Sequence, residues 1–107
     1  MSLDVYLTRV QPTEVYWRNI THNLGGMAKE AGIYEYLWRP DELGIKFARE
    51  LIEPLRIGLV LLKSDPERFK KCDSPNLWGI YEHFVEFVES YLAGCEEFPD
   101  AEVRVSR

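Results

Sequence analysis

Trp78-Gly-Ile-Tyr-Glu-His-Phe-Val-Glu-Phe-Val-Glu-Ser-Tyr-Leu-Ala-Gly-Cys95 is the longest periodic stretch of this chain. Trp78, Tyr81, Phe84, Val85, Val88, Tyr91, Leu92 and Cys95 recur at spacings of three and four, which puts them on one side of a helix. Glu82, Glu86 and Glu89 fall on the other side. The spacing therefore predicts a helix from Trp78 to about Cys95. A face this broadly apolar must be covered by other elements, so the question becomes what the flanking sequence offers.

On the C-terminal side, Pro99 breaks the pattern and Ala101-Glu102-Val103-Arg104-Val105 alternates like a closing strand. On the N-terminal side, Asp73-Ser74-Pro75-Asn76 reads as a loop. Before it, Ser64-Asp65-Pro66-Glu67 combines a capping oxygen, proline at a first helical position and an acid in the first turn. This predicts a short helix ending near Cys72. Further back, Phe47, Ala48, Leu51, Leu55, Leu59 and Leu62 continue a helical face from about Ile45. Pro54 interrupts it, and proline deep in a helix costs about 3 kcal/mol. A kink, or two helices meeting near Glu53-Pro54, is expected.

The first half is mixed. Leu3-Asp4-Val5-Tyr6-Leu7-Thr8 alternates and reads as a strand with Leu3, Val5 and Leu7 on one face, and Pro12 ends it or marks its edge. Thr13–Trp17 fits either a short strand or a loop. Asn19 to about Ala31 reads as a helix capped by Asn19 or Thr21 and stopped by Gly32, with Leu24, Met27, Ala28 and Ala31 as its apolar stripe. Gly25-Gly26 costs that helix roughly 1 kcal/mol per glycine relative to alanine. The pair implies close packing, a bound group, or a helix that starts only after Gly26. Ile33–Trp38 fits a strand or a last helical turn, and Pro40 argues against a helix running through Arg39.

The alternating end segments invite pairing with one another, and a two-stranded ribbon is marginal unless helices cover it. The expected fold is α+β: three or four helices packed on a two- or three-stranded antiparallel sheet that joins the chain ends. With 107 residues, 46% of them hydrophobic and 29% charged, residues 1–107 are expected to form a single globular domain.

Composition also narrows function. The formal charge is −5 and the basic residues are scattered, so a nucleic-acid backbone is not the expected partner. The longest apolar stretch, Ile57 to Leu62, is too short for a bilayer. Cys72 and Cys95 have neither metal-knuckle nor CxxC spacing and read as free thiols in a reducing compartment. The cytoplasm is the expected location, with the chain a monomer or homodimer and no cofactor or metal implied.

The densest group of polar side chains is Asn19-Ile20-Thr21-His22-Asn23. If it is helical, Asn19, His22 and Asn23 share a side and can recognise a polar ligand by paired donors and acceptors. In the other reading, Asn19, Thr21 and Asn23 cap and pin a helix start while His22 packs. Trp38-Arg39-Pro40-Asp41-Glu42 is the second candidate: arginine clamps carboxylate or phosphate, and tryptophan supplies a wall. Alternatively Arg39 pairs with Asp41 or Glu42 and orders a turn. Together Asn19, Thr21, His22, Asn23, Trp38 and Arg39 form the expected ligand-binding set. His83 reads as a surface or boundary histidine.

Three functions compete. The first is binding of a polar or anionic small molecule at the Asn19–Asn23 segment. The second is a protein-interaction module built on exposed Trp17, Tyr36 or Trp38. The third is a small hydrolase or transferase with His22 as general base, which needs a carboxylate from Glu14, Glu35 or elsewhere. Catalysis is not the favoured reading. Asn19-Ile-Thr-His-Asn-Leu-Gly, Gly32-Ile-Tyr, Leu37-Trp-Arg-Pro-Asp-Glu, Asp65-Pro-Glu-Arg-Phe and Trp78-Gly-Ile-Tyr resemble segments of a small family of uncharacterised bacterial and bacteriophage proteins. The resemblance implies a phage or prophage accessory protein and brings no assigned activity.

Overall fold

The computed structural model describes residues 2–9, 13–73 and 79–107. Pro12, the loop residues after Asp73 and Trp78 at the expected start of the last helix lie outside them.

Strand β1 (Ser2–Arg9) has Leu3, Val5 and Leu7 fully buried, as its alternation requires. It is the centre of a three-stranded antiparallel sheet, with β2 (Thr13–Thr21) on one side and β3 (Glu102–Ser106) on the other. Val5 faces Arg18 across one pairing and Val105 across the other, so the two ends of the chain do meet. The β1–β2 register slips between Leu7 and Thr8: Leu7 opposes Tyr16 and Thr8 opposes Glu14. Val15 is the extra residue, and this kind of bulge bends a strand.

Strand β2 is longer than the sequence suggests. The expected helix from Asn19 is corrected: Asn19 pairs with Asp4 and Thr21 with Ser2, inside the sheet. A 3-10 turn, His22–Leu24, follows, and it runs into helix α1 (Gly25–Glu30). Leu24, Met27, Ala28 and Ala31 are buried as the stripe predicts. Gly32, at φ 77°, takes the left-handed conformation that stops the helix.

Helix α2 (Tyr34–Trp38) settles the ambiguous aromatic run as helix. After a 3-10 turn at Pro40–Leu43, residues Lys46 and Phe47 are extended rather than helical, a second correction. The Lys46 carbonyl accepts from Val103 N and Phe47 bridges to Glu102, so this segment borders β3. Helix α3 (Arg49–Ser64) begins only there. Glu50 Oε2 accepts from both Lys46 N and Phe47 N at 2.8 Å. These bonds fix the extended approach and draw its carboxyl below the ordinary range, Phe47 N–H contributing most.

Pro54 lies inside α3, and the helix is not divided there. Proline in this position loses one bond, to the Glu50 carbonyl near the N-terminal end. Buried Leu51, Leu55, Gly58 and Leu62 keep both halves seated on the same face. Helix α4 (Pro66–Lys70) opens with proline as predicted, but no side-chain oxygen caps it. Ser64 Oγ instead donates to the Leu61 carbonyl at 2.9 Å.

Helix α5 (Tyr81–Glu97) lies against α3 and β2. Its buried face includes Tyr81, Phe84, Val88, Tyr91, Leu92 and Cys95, together with Phe87. The Tyr81 N–H donates to Asp73 Oδ1 at 2.8 Å, and its hydroxyl donates to the Leu62 carbonyl at 2.7 Å. The first turn of α5 is thereby tied to the last turn of α3. Gly94 lets α5 approach the sheet: a Cβ there would stand 2.9 Å from the Tyr16 ring.

Candidate functional site

Local chemistry at the end of β2 builds the turn that carries His22. Thr21 is extended at φ −69° and ψ 145°, and its Oγ1 accepts from Asn23 N at 3.3 Å. This is the side-chain capping geometry that lets a strand turn directly into a helical turn. Leu24 is buried and anchors the turn from below. Gly79, at φ 113°, closes over the same turn: a Cβ there would lie 3.1 Å from Asn23 Cβ and Thr21 Cγ2.

His22 then reaches helix α2. Its Nδ1 accepts from Trp38 Nε1 at 2.7 Å. Trp38 is 3% exposed, so its indole N–H needs a partner and finds it in the imidazole. With Nδ1 used as an acceptor, the neutral ring carries its proton on Nε2. His22 therefore offers an N–H donor rather than a basic nitrogen. Trp38 stacks on Tyr34, one helical turn earlier, with centroids 5.2 Å apart and planes 11° apart. Lys29 Nζ, from α1, lies over the same tyrosine ring at 4.7 Å. Among the described residues, no carboxylate pairs with Lys29.

Two arginines complete the wall. Arg39 Nη1 donates to Glu42 Oε2 at 2.7 Å, and this contact is the largest reason its charged form is favoured. Arg107 Nη1 donates to Asp41 Oδ1 at 2.8 Å and to the Trp38 carbonyl at 3.1 Å. The Arg107 hydrogen bond in turn holds the Asp41 carboxyl below its usual value. The Arg107–Trp38 contact spans 69 positions and fixes the end of β3 against the end of α2.

These side chains surround an open groove of about 480 Å³ lined by His22, Gly25, Gly26, Lys29, Tyr34, Trp38, Arg39 and Arg107. It presents three cations and a neutral N–H donor, and no carboxylate is among the described residues that line it. Gly25 and Gly26 occupy the first turn of α1 on its floor. A Cβ on Gly26 would meet nothing within 4 Å, so close packing against another backbone is not the reason for that glycine.

The six residues singled out by sequence are divided by the fold. His22, Trp38 and Arg39 share this groove. Asn19 and Thr21 line a second one, of about 350 Å³, together with Arg18, Gly79, His83 and Glu86. The expectation that Asn19, His22 and Asn23 share a helical side fails because Asn19 belongs to β2. Its side chain is occupied within the sheet, donating to Ser2 Oγ at 2.8 Å and to Asp4 Oδ1. Asn23 sits on the capping turn between the two grooves. His22 and His83 line different grooves, and no three metal-ligating side chains cluster among the described residues.

Lys29, Tyr34 and Arg107 were not singled out by sequence. The Tyr34–Trp38 spacing of four is a local signal for stacked rings on one helix face. Lys29 and Arg107 reach the groove through tertiary folding and carry no such signal.

No family model matches the chain, and no curated protein or solved structure is similar to it.

Proposed function

We propose that this protein binds a compact anionic small molecule in the groove between α1 and α2. The observation that carries this reading is the convergence of Lys29, Arg39, Arg107 and the His22 N–H on one hollow in a chain of net charge −5. Glu42 Oε2 already lies between the two guanidiniums, 2.7 Å from Arg39 Nη1 and 3.8 Å from Arg107 Nη2, so the charge left without a carboxylate is that of Lys29, and donors fixed in this way recognise oxyanions well. Glu42 and Asp41 hold the two arginines in place, while Lys29 is left to compensate an incoming charge. Tyr34 already contacts Trp38 and Lys29, so the aromatics serve as walls rather than as a platform for a nucleobase. The phage or prophage accessory role rests on the resemblance of the five quoted segments and on no contact in the groove, and a cytoplasmic location rests on the reading of Cys72 and Cys95 as free thiols.

The alternative of an interaction module rests on Trp17, which is 49% exposed on β2 opposite Tyr6. Trp38 is withdrawn from that reading by its burial. The reading of His22 as a base lacks an orienting carboxylate, since its ring partner is the Trp38 indole.

Calorimetric titration with inorganic phosphate, citrate and adenosine monophosphate tests the proposal. The expected result is binding that weakens with salt and falls at least about tenfold in Lys29→Ala, one to two charge-assisted contacts' worth. Adenosine monophosphate should bind no better than phosphate. Gly26→Ala should weaken binding while leaving the protein as stable or up to about 1 kcal/mol more stable, because the added methyl enters open groove. Absence of binding by all three anions at millimolar concentration would sink the proposal.

A further inference from the structure

We infer that Glu42 is an internal competitor for Arg39 that the bound ligand displaces, and that the groove therefore takes an oxyanion carrying at least two charges. This role of Glu42 rests on the anion-binding reading above and specifies which anions that site accepts. Glu42 Oε2 stands 2.7 Å from Arg39 Nη1 and 3.8 Å from Arg107 Nη2. Both arginines line the groove, and Glu42 does not. Its carboxylate thus holds, from beside the hollow, the place that an oxygen of a bridging anion would take between the guanidiniums.

The two arginines are held with different strength. Arg107 Nη1 donates to Asp41 Oδ1 at 2.8 Å and to the Trp38 carbonyl at 3.1 Å, and Nη2 donates to Asp41 Oδ2 at 3.4 Å. Both carboxylate oxygens and a backbone carbonyl hold that guanidinium, so an incoming ion leaves it in place. Glu42 meets Arg39 through one oxygen, three residues along the chain, with both side chains exposed, at 53% and 41%. An exposed pair of this kind is weak and screened by salt. It is the contact that yields, and Glu42 can rotate into solvent about its own side-chain bonds.

Charge then sets the class of ligand. Lys29 Nζ lies over the Tyr34 ring on the same groove. An anion with a single charge is compensated at Lys29 and leaves Glu42 where it is. Taking Arg39 instead would only exchange one carboxylate for another. An anion with two charges meets Lys29 and Arg39 together, and the second contact offsets the loss of the Glu42 pair.

Titration of the isotopically labelled full chain with sodium sulfate and with sodium acetate, at constant ionic strength, tests this through the amide resonances of Gly25 and Gly26. Glu42→Gln keeps an oxygen for Arg39 to donate to and removes the charge, whereas Glu42→Ala removes both. Each should tighten sulfate binding about two- to fivefold, the factor an exposed ion pair supplies, and leave acetate within about 1.5-fold. Glu35→Gln makes the same change of net charge at an exposed residue of α2 outside the groove. It should leave both ions within about the same 1.5-fold margin. Circular dichroism checks that the variants fold, as the exposure of Glu42 implies, and Glu42→Gln decides the matter if the alanine variant does not. Sulfate binding that is unchanged or weaker in Glu42→Gln overturns the inference and leaves Glu42 as a residue that only positions Arg39, with anion binding intact. An equal gain for acetate and sulfate overturns it too, since net charge alone would produce that. Failure of sulfate to bind any of these proteins at millimolar concentration removes the anion site itself, and the competitor role with it.

Discussion

Tyr91 is fully buried in α5, stacked on Tyr16 with centroids 5.8 Å apart and tilted against Phe87 at 5.9 Å. Its hydroxyl is the one buried side-chain polar atom without a hydrogen-bond partner among the described residues. Burial above all, with Cys95 and Tyr16 beside it, pushes its ionisation well above the usual tyrosine range. An unsatisfied buried hydroxyl forfeits its hydration and gains nothing in return, at a cost of about 1–3 kcal/mol. Removing the oxygen while keeping the ring should therefore stabilise the fold. Tyr91→Phe is expected to raise stability by about 1 kcal/mol, seen as a higher urea midpoint with an unchanged slope. Tyr16 is the contrast within the same stack: its hydroxyl bonds Ser90 Oγ at 2.8 Å. Tyr16→Phe should lose stability where Tyr91→Phe gains it. A Tyr91→Phe protein less stable than the parent would mean that the hydroxyl has a partner in solution, such as a buried water.

At the scale of elements, Gly58 shows how one missing side chain sets a helix crossing. A Cβ at this position would lie 2.5 Å from Ile33 Cγ2, a separation that real side chains do not tolerate. Alanine gains about 1 kcal/mol in helix propensity but loses about 1–3 kcal/mol to overpacking. Gly58→Ala should come out destabilising in thermal melts, and Ile33→Ala in the same chain should recover part of the loss. Simple additivity of the two substitutions would show that the helices do not touch there. This contact also explains which elements could be read from sequence. β1 and α5 repeat their periods through uninterrupted segments, so their inward residues are visible one by one. Asn19 and Thr21 belong to the residue types that favour helix starts. Only pairing with Asp4 and Ser2, more than a dozen positions away, makes them strand. Pro54 announces a break that the shared burial of Leu51 and Leu62 prevents. In the groove, His22, Trp38 and Arg39 stand out by residue type. Lys29 and Arg107 are ordinary surface cations until the fold brings α1 and β3 to the ends of α2.

Across the whole molecule, ion pairs join the sheet to what surrounds it. Arg9 of β1 holds Asp100, Arg18 of β2 holds Glu86 of α5, and Arg107 after β3 holds Asp41. In each case the hydrogen bond from arginine is the largest reason the carboxyl sits below its ordinary value, and Glu50 adds the backbone N–H groups described above. A carboxyl with a depressed folded value binds protons more readily when unfolded. Its stabilisation is complete above the unfolded value and disappears as pH falls through the folded one. These four are exposed, so each contributes modestly and the ion pairs weaken with salt. On the alkaline side, burial raises the Cys95 thiol to about 12. A raised folded value gives stabilisation that is complete below the unfolded value, near 9, and is lost as pH rises toward 12. Stability should therefore be level between about pH 5 and pH 8 and decline on both sides. Melting temperatures recorded from about pH 3 to pH 10 check this. Asp41→Asn, Glu86→Gln and Asp100→Asn combined should lower the plateau and flatten the acid decline, since the proton-linked pairs are gone. Glu50→Gln should flatten a part that added salt does not remove, because its partners are backbone N–H groups rather than mobile cations. An acid decline of unchanged steepness in the combined variant would show that the sheet is not held to its surroundings by these pairs.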